Sequence, residues 1–381
     1  MANHLSERPS TSNFTLEQLA DRLDLHYTAI YHYFAGKHDL SLALIQGICE
    51  RRIELLNHVR SLPGPAIGQM VEFISMDLRD PPTDVPQRTI SVLKEPFRGR
   101  AQQAQARVTE AIVELLKRGL ADGSMETTDP RVAAALIRRI LNRYRNRGEK
   151  LLSSQTTDRI AEVVVDLVCR GIAVDRDGWS SSISTRPRPF PRVSSPIEGA
   201  DRVVRSLTEE FNRLGYEGTS VPRVARTIGV SKTSFYKYAS SKEELLYLCA
   251  RQTMDLIGQV RQIAKVVTDD PIQALLYNLY YARYLRTHAP GPTLDVGNFR
   301  SLESRHEVLL WEIFKRWRND LLELINRGVD NGQIRTLEPQ LMLPIMNLCS
   351  AEPIRAESVE EGFGDEVARF LYRGISAEGS Y

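Results

Sequence analysis

Cysteine is scarce in this sequence and never grouped. Cys49, Cys169, Cys249 and Cys349 stand eighty or more residues apart. No pair has metal-ligand or redox-motif spacing, so buried, reduced thiols of a cytosolic protein are expected. The seven histidines show no HExxH or other ligand pattern, and neither a Gly-rich phosphate loop nor a nucleophile elbow occurs. The expectation is a protein that is not an enzyme and uses no cofactor or metal. A large excess of charge is also lacking. The net charge is +2, so attraction to nucleic acid must come from local patches. Long apolar runs are missing as well: the most apolar stretch, 160–174, is interrupted by Glu162, Asp166 and Arg170 and is too short to cross a bilayer. The N-terminus has no basic-then-apolar leader pattern. A soluble, cytoplasmic protein with no membrane partner is expected.

What the sequence does contain is a long-range repetition. With 381 residues, 42% hydrophobic and 26% charged, the chain has length for two or three domains with real cores. "HYTAIYHYFAGKHDL" (26–40) returns as "SKTSFYKYASSKEEL" (231–245), at an offset of 205 residues. At that offset Thr28 meets Thr233, Tyr31 meets Tyr236, Tyr33 meets Tyr238, Lys37 meets Lys242 and Leu40 meets Leu245. A second echo, "RGLADGSMETTDP" (118–130) and "RGVDNGQIRTLEP" (327–339), lies at an offset of 209. A third, "CRGIAVD" from Cys169 and "YRGISAE" from Tyr372, lies near the two ends. Three echoes in one order imply duplication of roughly the whole unit, and a period near two hundred residues is too long for a solenoid. The Ser-, Pro- and Arg-rich stretch between the copies reads as a linker, partly extended by its prolines.

Apolar residues recur at helical spacing and no alternating strand pattern appears. Thr15 and Gln18 have capping-box spacing, so a helix is expected from there to about Leu23. In the second copy Ser220 takes the cap position, Pro222 falls in the first turn and Gly229 suits a left-handed stop. A second short helix then covers 26–34 and 231–239, the latter capped by Ser231. A third starts at "SSKEEL", with Ser241 and Glu244 at capping-box spacing. Two short helices joined by a tight turn, the second presenting Thr, Lys, Tyr and His, follow the plan of a helix-turn-helix. Tyr31, Tyr33, Tyr236 and Tyr238 can donate to phosphate oxygens. Lys37 and Lys242 add charge where helix N-terminal N–H groups already favour phosphate. Thr28, His32, Lys232, Thr233, Ser234 and Lys237 complete the candidate DNA-contacting set, several of them facing base edges. The bland alternative is that one tyrosine of each pair packs against the preceding helix.

These segments, "LADRLDLHYTAIYHYFAGKHDLSLAL" and "VARTIGVSKTSFYKYASSKEELLYL", resemble the DNA-binding segment of TetR/AcrR-type transcriptional regulators. Tyr31-His32-Tyr33-Phe34 with Lys37 fits the family pattern. Tyr236-Lys237-Tyr238 with Lys242 fits except that Ala239 replaces an aromatic residue. The resemblance implies an all-α fold with two tandem units. Each would have a helix-turn-helix DNA-binding head and a helical-bundle body for ligand binding and dimerisation. It further implies a double-stranded DNA operator, a small apolar or aromatic effector that releases it, and repression as the default output. Two units in one chain resemble a covalent pseudo-dimer; a further homodimer through the same surface stays open. The expected boundaries are 1–45 for the first head, 46–176 for its body, 177–199 for the linker, 200–248 for the second head and 249–381 for its body.

The two heads differ in charge and completeness. Over 14–40 the first has Arg22 and Lys37 against Glu17, Asp21, Asp24 and Asp39, a net charge of −2. Over 219–245 the second has Arg223, Arg226, Lys232, Lys237 and Lys242 against Glu243 and Glu244, a net charge of +3. Non-specific affinity follows the number of phosphates neutralised, so the second head is expected to be the stronger DNA binder. It also has a covering helix, with Val203, Val204, Leu207 and Phe211 on one stripe. The polar stretch before Phe14 offers no match, so either the first head lacks that helix or the residues for it precede Met1. In the second body Tyr277, Tyr280, Tyr281 and Tyr284 crowd one segment and Trp311 and Phe314 another. They are candidate pocket walls, or simply an aromatic core. The rival to a DNA-binding regulator is an effector-sensing or protein-interaction module whose operator binding is lost or much weakened.

Overall fold

A computed structural model describes residues 26–80, 93, 96–145, 156–179, 201–229, 231, 240–278, 292–294, 296–302, 304–336, 338, 341–342 and 363–377. The expected cap at Thr15, the helix to Leu23 and most of the linker lie outside them. The described residues are helical, without a β-strand and with two isolated β-bridges.

The first half contains α1 (Tyr27–Tyr33), α2 (Lys37–Ser61), α3 (Ala66–Arg79), α4 (Phe97–Ala121), α5 (Pro130–Arg145) and α6 (Thr157–Arg170). The second contains α7 (Asp201–Gly218), α8 (Val221–Ile228), α9 (Lys242–Val267), a helix at 271–278, a 3-10 turn (Val296–Ser301), α10 (Ser304–Asp330) and α11 (Phe363–Arg373). Helix starts follow local chemistry. Thr156 accepts from the Arg159 N–H at the start of α6. The Asp129 carboxylate accepts from the Arg131 and Val132 N–H groups, and Asp270 does the same for Ile272 and Gln273. Each satisfies N–H groups that the first helical turn leaves without partners.

The second sequence echo is a turn that closes a long helix and folds back over it. Gly123 and Gly332 take positive φ, 73° and 69°. The next residues but one, Met125 and Ile334, return their N–H groups to Gly119 and Gly328 at 3.0 and 2.9 Å. Met125 and Ile334 pack so closely that a Cβ on Gly119 or Gly328 would lie 2.4 Å from them.

The third echo is where the halves meet. α11 packs on α5 and α6, and the chain ends beyond α6 and α11 cross with backbone bonds exchanged reciprocally. Ile172 N–H donates to Leu371 O at 2.9 Å and Ile375 N–H to Val168 O at 2.9 Å. Ala173 N–H donates to Tyr372 O at 3.1 Å and Ser376 N–H to Cys169 O at 2.9 Å. Outside these, Arg335 N–H donates to Ile172 O at 2.9 Å and Glu126 N–H to Ile375 O at 2.7 Å. Each bond has a twin in which the halves trade places. Only glycine fits at the crossing: a Cβ on Gly171 would lie 2.3 Å from Tyr372 O, and one on Gly374 2.4 Å from the Cys169 carbonyl. Both glycines also take positive φ, 63° and 71°, where a side chain is strained.

The start of the expected linker is packed rather than loose. Trp179 sits 5.5 Å, centroid to centroid, from Tyr372, and Asp175 accepts from the Asp177 and Gly178 N–H groups. One apolar core runs through both bodies, from Phe73, Ile137, Tyr144 and Val164 to Leu275, Ile325 and Phe370. Cys49, Cys169 and Cys249 are buried and free, with burial pushing the thiols of Cys169 and Cys249 up to about 12. Such thiols stay protonated and inert. Cys349 lies outside the described residues. No described helix is long and apolar enough to cross a membrane.

Candidate nucleic-acid interface

In the second repeat the head is built from α7, α8 and the start of α9. Val203, Val204, Leu207 and Phe211 are buried against Val221, Val224, Ala225 and Ile228 of α8 and Leu245, Leu246 and Cys249 of α9. This is the stripe that the sequence assigned to a covering helix. α7 is broken at Gly215, whose φ of 72° turns the last residues aside. Ser220 precedes α8 in extended conformation, Pro222 lies in the first turn, and Gly229 closes the helix at φ 73°, in the left-handed region.

Lys232, Thr233, Ser234, Tyr236, Lys237 and Tyr238 lie outside the described residues, so what is defined is the frame on either side of them. At the far side Ser241 Oγ accepts from Glu244 N–H at 3.1 Å. Glu244 reaches back to Ser240, accepting from its N–H at 2.7 Å and its hydroxyl at 2.6 Å. The capping box therefore closes one residue earlier than its usual pattern. Those Ser240 bonds hold the Glu244 carboxyl below its ordinary range. Lys242 Nζ lies 4.4 Å from the centroid of the Tyr216 ring, so its charge also ties α9 to the end of α7. On α8 Arg223 Nε donates to Glu210 at 3.1 Å, while Arg226 is exposed.

In the first repeat α1 coincides with the expected second helix of the motif. Tyr31 and Tyr33 are 45% and 75% exposed; the preceding helix against which one of them could pack lies outside the described residues. Thr28 and His32 are exposed too, with Thr28 Oγ1 2.8 Å from His26 Nδ1 and the rings of His32 and Tyr33 meeting edge-on at 5.2 Å. Lys37 is the first residue of α2. Gly36 stands where the second repeat has Ser241, and it offers no side-chain cap. Asp39 nevertheless accepts from Ala35 N–H at 3.1 Å, the counterpart of the Glu244–Ser240 bond.

The joints between heads and bodies were not singled out from the sequence. His38, one residue into α2, stacks on Phe97 at the start of α4 with centroids 6.1 Å apart. At the matching positions, by the 205 and 209 offsets, stand Glu243 and His306. His306 Nδ1 lies 2.9 Å from the buried Glu243 carboxylate, and its ring stacks on Tyr247 at 4.1 Å. The offsets could have revealed this pairing, but the side chains differ in type and so gave no echo. The second head is further tied down by Asn212 Nδ2 donating to Thr293 O and Asn298 Nδ2 to Phe211 O.

The candidate pocket residues are only partly brought together. Tyr277 is buried in the core shared by both bodies. Phe314 packs on the head's cluster, and Trp311 is half-exposed and stacks on Phe314 at 5.4 Å. Tyr280, Tyr281 and Tyr284 lie outside the described residues. Among the described residues no group of His, Cys, Asp and Glu could hold a metal ion.

Parts of the chain are similar to known proteins. A regulator from Aromatoleum sp. (strain CIB), the HTH-type transcriptional regulator HbdR, is 24% identical over 188 residues, which are 46% of this chain and 81% of HbdR. The solved TetR-family regulator PfmR from Thermus thermophilus shares 25% identity over 44% of this chain and 98% of its own, with a TM-score of 0.36. The ketosteroid regulator KstR2 of Mycobacterium tuberculosis shares 19% over 49% of this chain and 100% of its own, with a TM-score of 0.38. The family model for bacterial regulatory proteins of the tetR family matches residues 205–247, the segment that runs from α7 through α8 to the start of α9, so the head of the second repeat is similar to the DNA-binding head of that family.

Proposed function

We propose that this chain is a covalent pseudo-dimer: two TetR-like units, bounded at 1–45, 46–176, 177–199, 200–248 and 249–381, that fold against each other and place two heads on one DNA operator. The observation that carries this reading is the reciprocal exchange of backbone bonds between 168–174 and 371–377, in which every bond has a twin with the halves exchanged. Paired units of this kind match two half-sites of an operator, since protein two-fold symmetry is mirrored in the site it reads. The protein acts as a repressor, and a small apolar or aromatic effector, held between body helices near Tyr277 and Phe314, releases the DNA.

The second repeat supplies most of the affinity. Its head has the covering helix α7, matches the family model and carries the positive excess; the first has Tyr31, Tyr33 and Lys37 over an acidic background. Fluorescence anisotropy with DNA from around the protein's own gene, across a salt series, tests this directly. Lys237→Ala is expected to weaken binding and to lower the salt slope by about 1, as loss of one phosphate contact does, with a smaller effect from Lys37→Ala. Equal losses refute the asymmetry. Absence of any specific binding favours the rival reading, an effector-sensing module without an operator, which the acidic first head and Ala239 also support.

A further inference from the structure

The two halves are held together by ion pairs whose polarity is reversed between symmetry-related positions. On one side Arg335, in the turn after α10, grips Asp166 of α6 with two bonds, at 2.9 and 2.6 Å, and also donates to Gly171 O. The side chains are only 17% and 26% exposed. The related positions, by the 209 and 203 offsets, are Glu126 after α4 and Arg369 of α11. There Arg369 lies 3.7 Å from Glu126, and Arg373, one turn on, lies 3.1 Å from it. Acid and base have therefore changed places: the first repeat supplies both acids, Glu126 and Asp166, and the second both bases, Arg335 and Arg369.

We infer that this swapped charge pattern makes the two repeats select each other and reject copies of themselves, which goes beyond the pseudo-dimer reading and rests on it. A pair of first repeats would set Glu126 against Asp166, relieved in part by Arg170 and Arg176. A pair of second repeats would set Arg335 against Arg369 and Arg373. Like charges brought face to face suppress wrong partners more effectively than good contacts alone select right ones. A second asymmetry points the same way. The buried Glu366 of α11 accepts from Thr127 Oγ1 at 2.5 Å and from Thr128 Oγ1. In a pair of second repeats it would face Thr336 and Leu337 and lose one hydroxyl, and in a pair of first repeats its place is taken by Val163. The occupant of each dimerisation face is thus the other repeat, not a second copy of the same one.

Two full-length double variants of unchanged net charge separate selection from mere stabilisation. Asp166→Arg with Arg335→Asp inverts one pair and keeps the two repeats complementary to each other; each also becomes complementary to itself, so the covalently linked copy wins by its proximity. Glu126→Arg with Arg335→Asp sets a new acid against Asp166 and a new base against Arg369, so that each repeat is complementary only to a copy of itself. Sedimentation and thermal unfolding of both are compared with wild type. The first variant is expected to sediment as wild type does and to retain most of its melting midpoint. The second is expected to melt several degrees lower and to shift to a species of twice the wild-type mass, or to lose its fold where the first keeps it. Equal mass and equal melting in the two variants overturn the proposal, as does failure of the first variant to fold. The wild-type mass judges the underlying reading separately: two chains per particle count against a single-chain pseudo-dimer, whereas the contrast between variants still decides whether charge selects the pairing.

Discussion

At the joint between head and body, the first repeat stacks His38 on Phe97 and the second sets Glu243 against His306. The backbone positions are the same and the chemistry is not. A stacked pair tolerates small shifts and loses little when one ring is replaced. A hydrogen bond between two buried polar side chains is different, because removing one partner leaves the other less fully satisfied away from water. The second head, the one matching the family model, is thus fastened by a contact that fails abruptly. The first is fastened by one that fails gradually.

Copying one joint into the other repeat should break this contrast most forcefully. His306→Phe, which imports Phe97, removes one hydrogen-bond partner of the buried Glu243 and is expected to cost about 3 kcal/mol, the upper end of the penalty for a buried hydrogen bond left unmade. Glu243→His with His306→Phe rebuilds the whole first-repeat joint and should recover most of that loss in urea unfolding. Equal stability of single and double variants would show that the Glu243–His306 contact is not what holds the head. Next in size are Gly171→Ala and Gly374→Ala. Each forces a Cβ against backbone of the other half, at about 1–3 kcal/mol for overpacking. Similar losses are expected from the two in thermal unfolding, because their surroundings are twins; a large inequality would mean that the crossing is not equivalent on its two sides.

Glu366 gives a smaller, pH-dependent difference. Burial raises its carboxyl above the ordinary range, so the folded protein binds that proton more tightly than the unfolded chain. The associated stability is fully present below the ordinary glutamate range and is lost as pH rises through the raised folded value. Glu366→Gln should flatten this slope, whereas Val163→Ala at the related position of the first repeat should leave it unchanged. Smallest of all is Gly36→Ser, which gives α2 the cap that Ser241 gives α9. A gain of a few tenths of a kcal/mol is expected, and a loss would mean that the extended Gly36 backbone cannot position the hydroxyl.

Much of this organisation could be read from the residues because the two copies preserve what backbone geometry demands. Gly123 and Gly332, and Gly171 and Gly374, mark places where a side chain is strained or excluded, and they survive divergence for that reason. The stripe of Val203, Val204, Leu207 and Phe211 announced a covering helix through its 3.6-residue period. The joints and the swapped ion pairs stayed hidden, because there the copies differ in side-chain type while agreeing in position. A search for similar residues passes over a His matched by a Glu or an acid matched by an Arg. Lys242 shows a different limit: its position predicted a phosphate contact, but only the fold reveals the Tyr216 ring beside it.

Neither head is a separate module hung on a flexible tether. The 25 residues of α2 and the 26 of α9 each begin at a head and continue without interruption into a body. At 1.5 Å per residue each is a lever ~38 Å long. A tilt of about 5° at the body end would carry the head through roughly 3 Å, close to the axial rise from one phosphate to the next on one DNA strand. Because the far ends of the two halves are cross-locked by paired backbone bonds, such a tilt would be taken up at the heads. On the proposed reading, an effector that wedges a body helix by the width of a methyl group would put a head out of step with the groove.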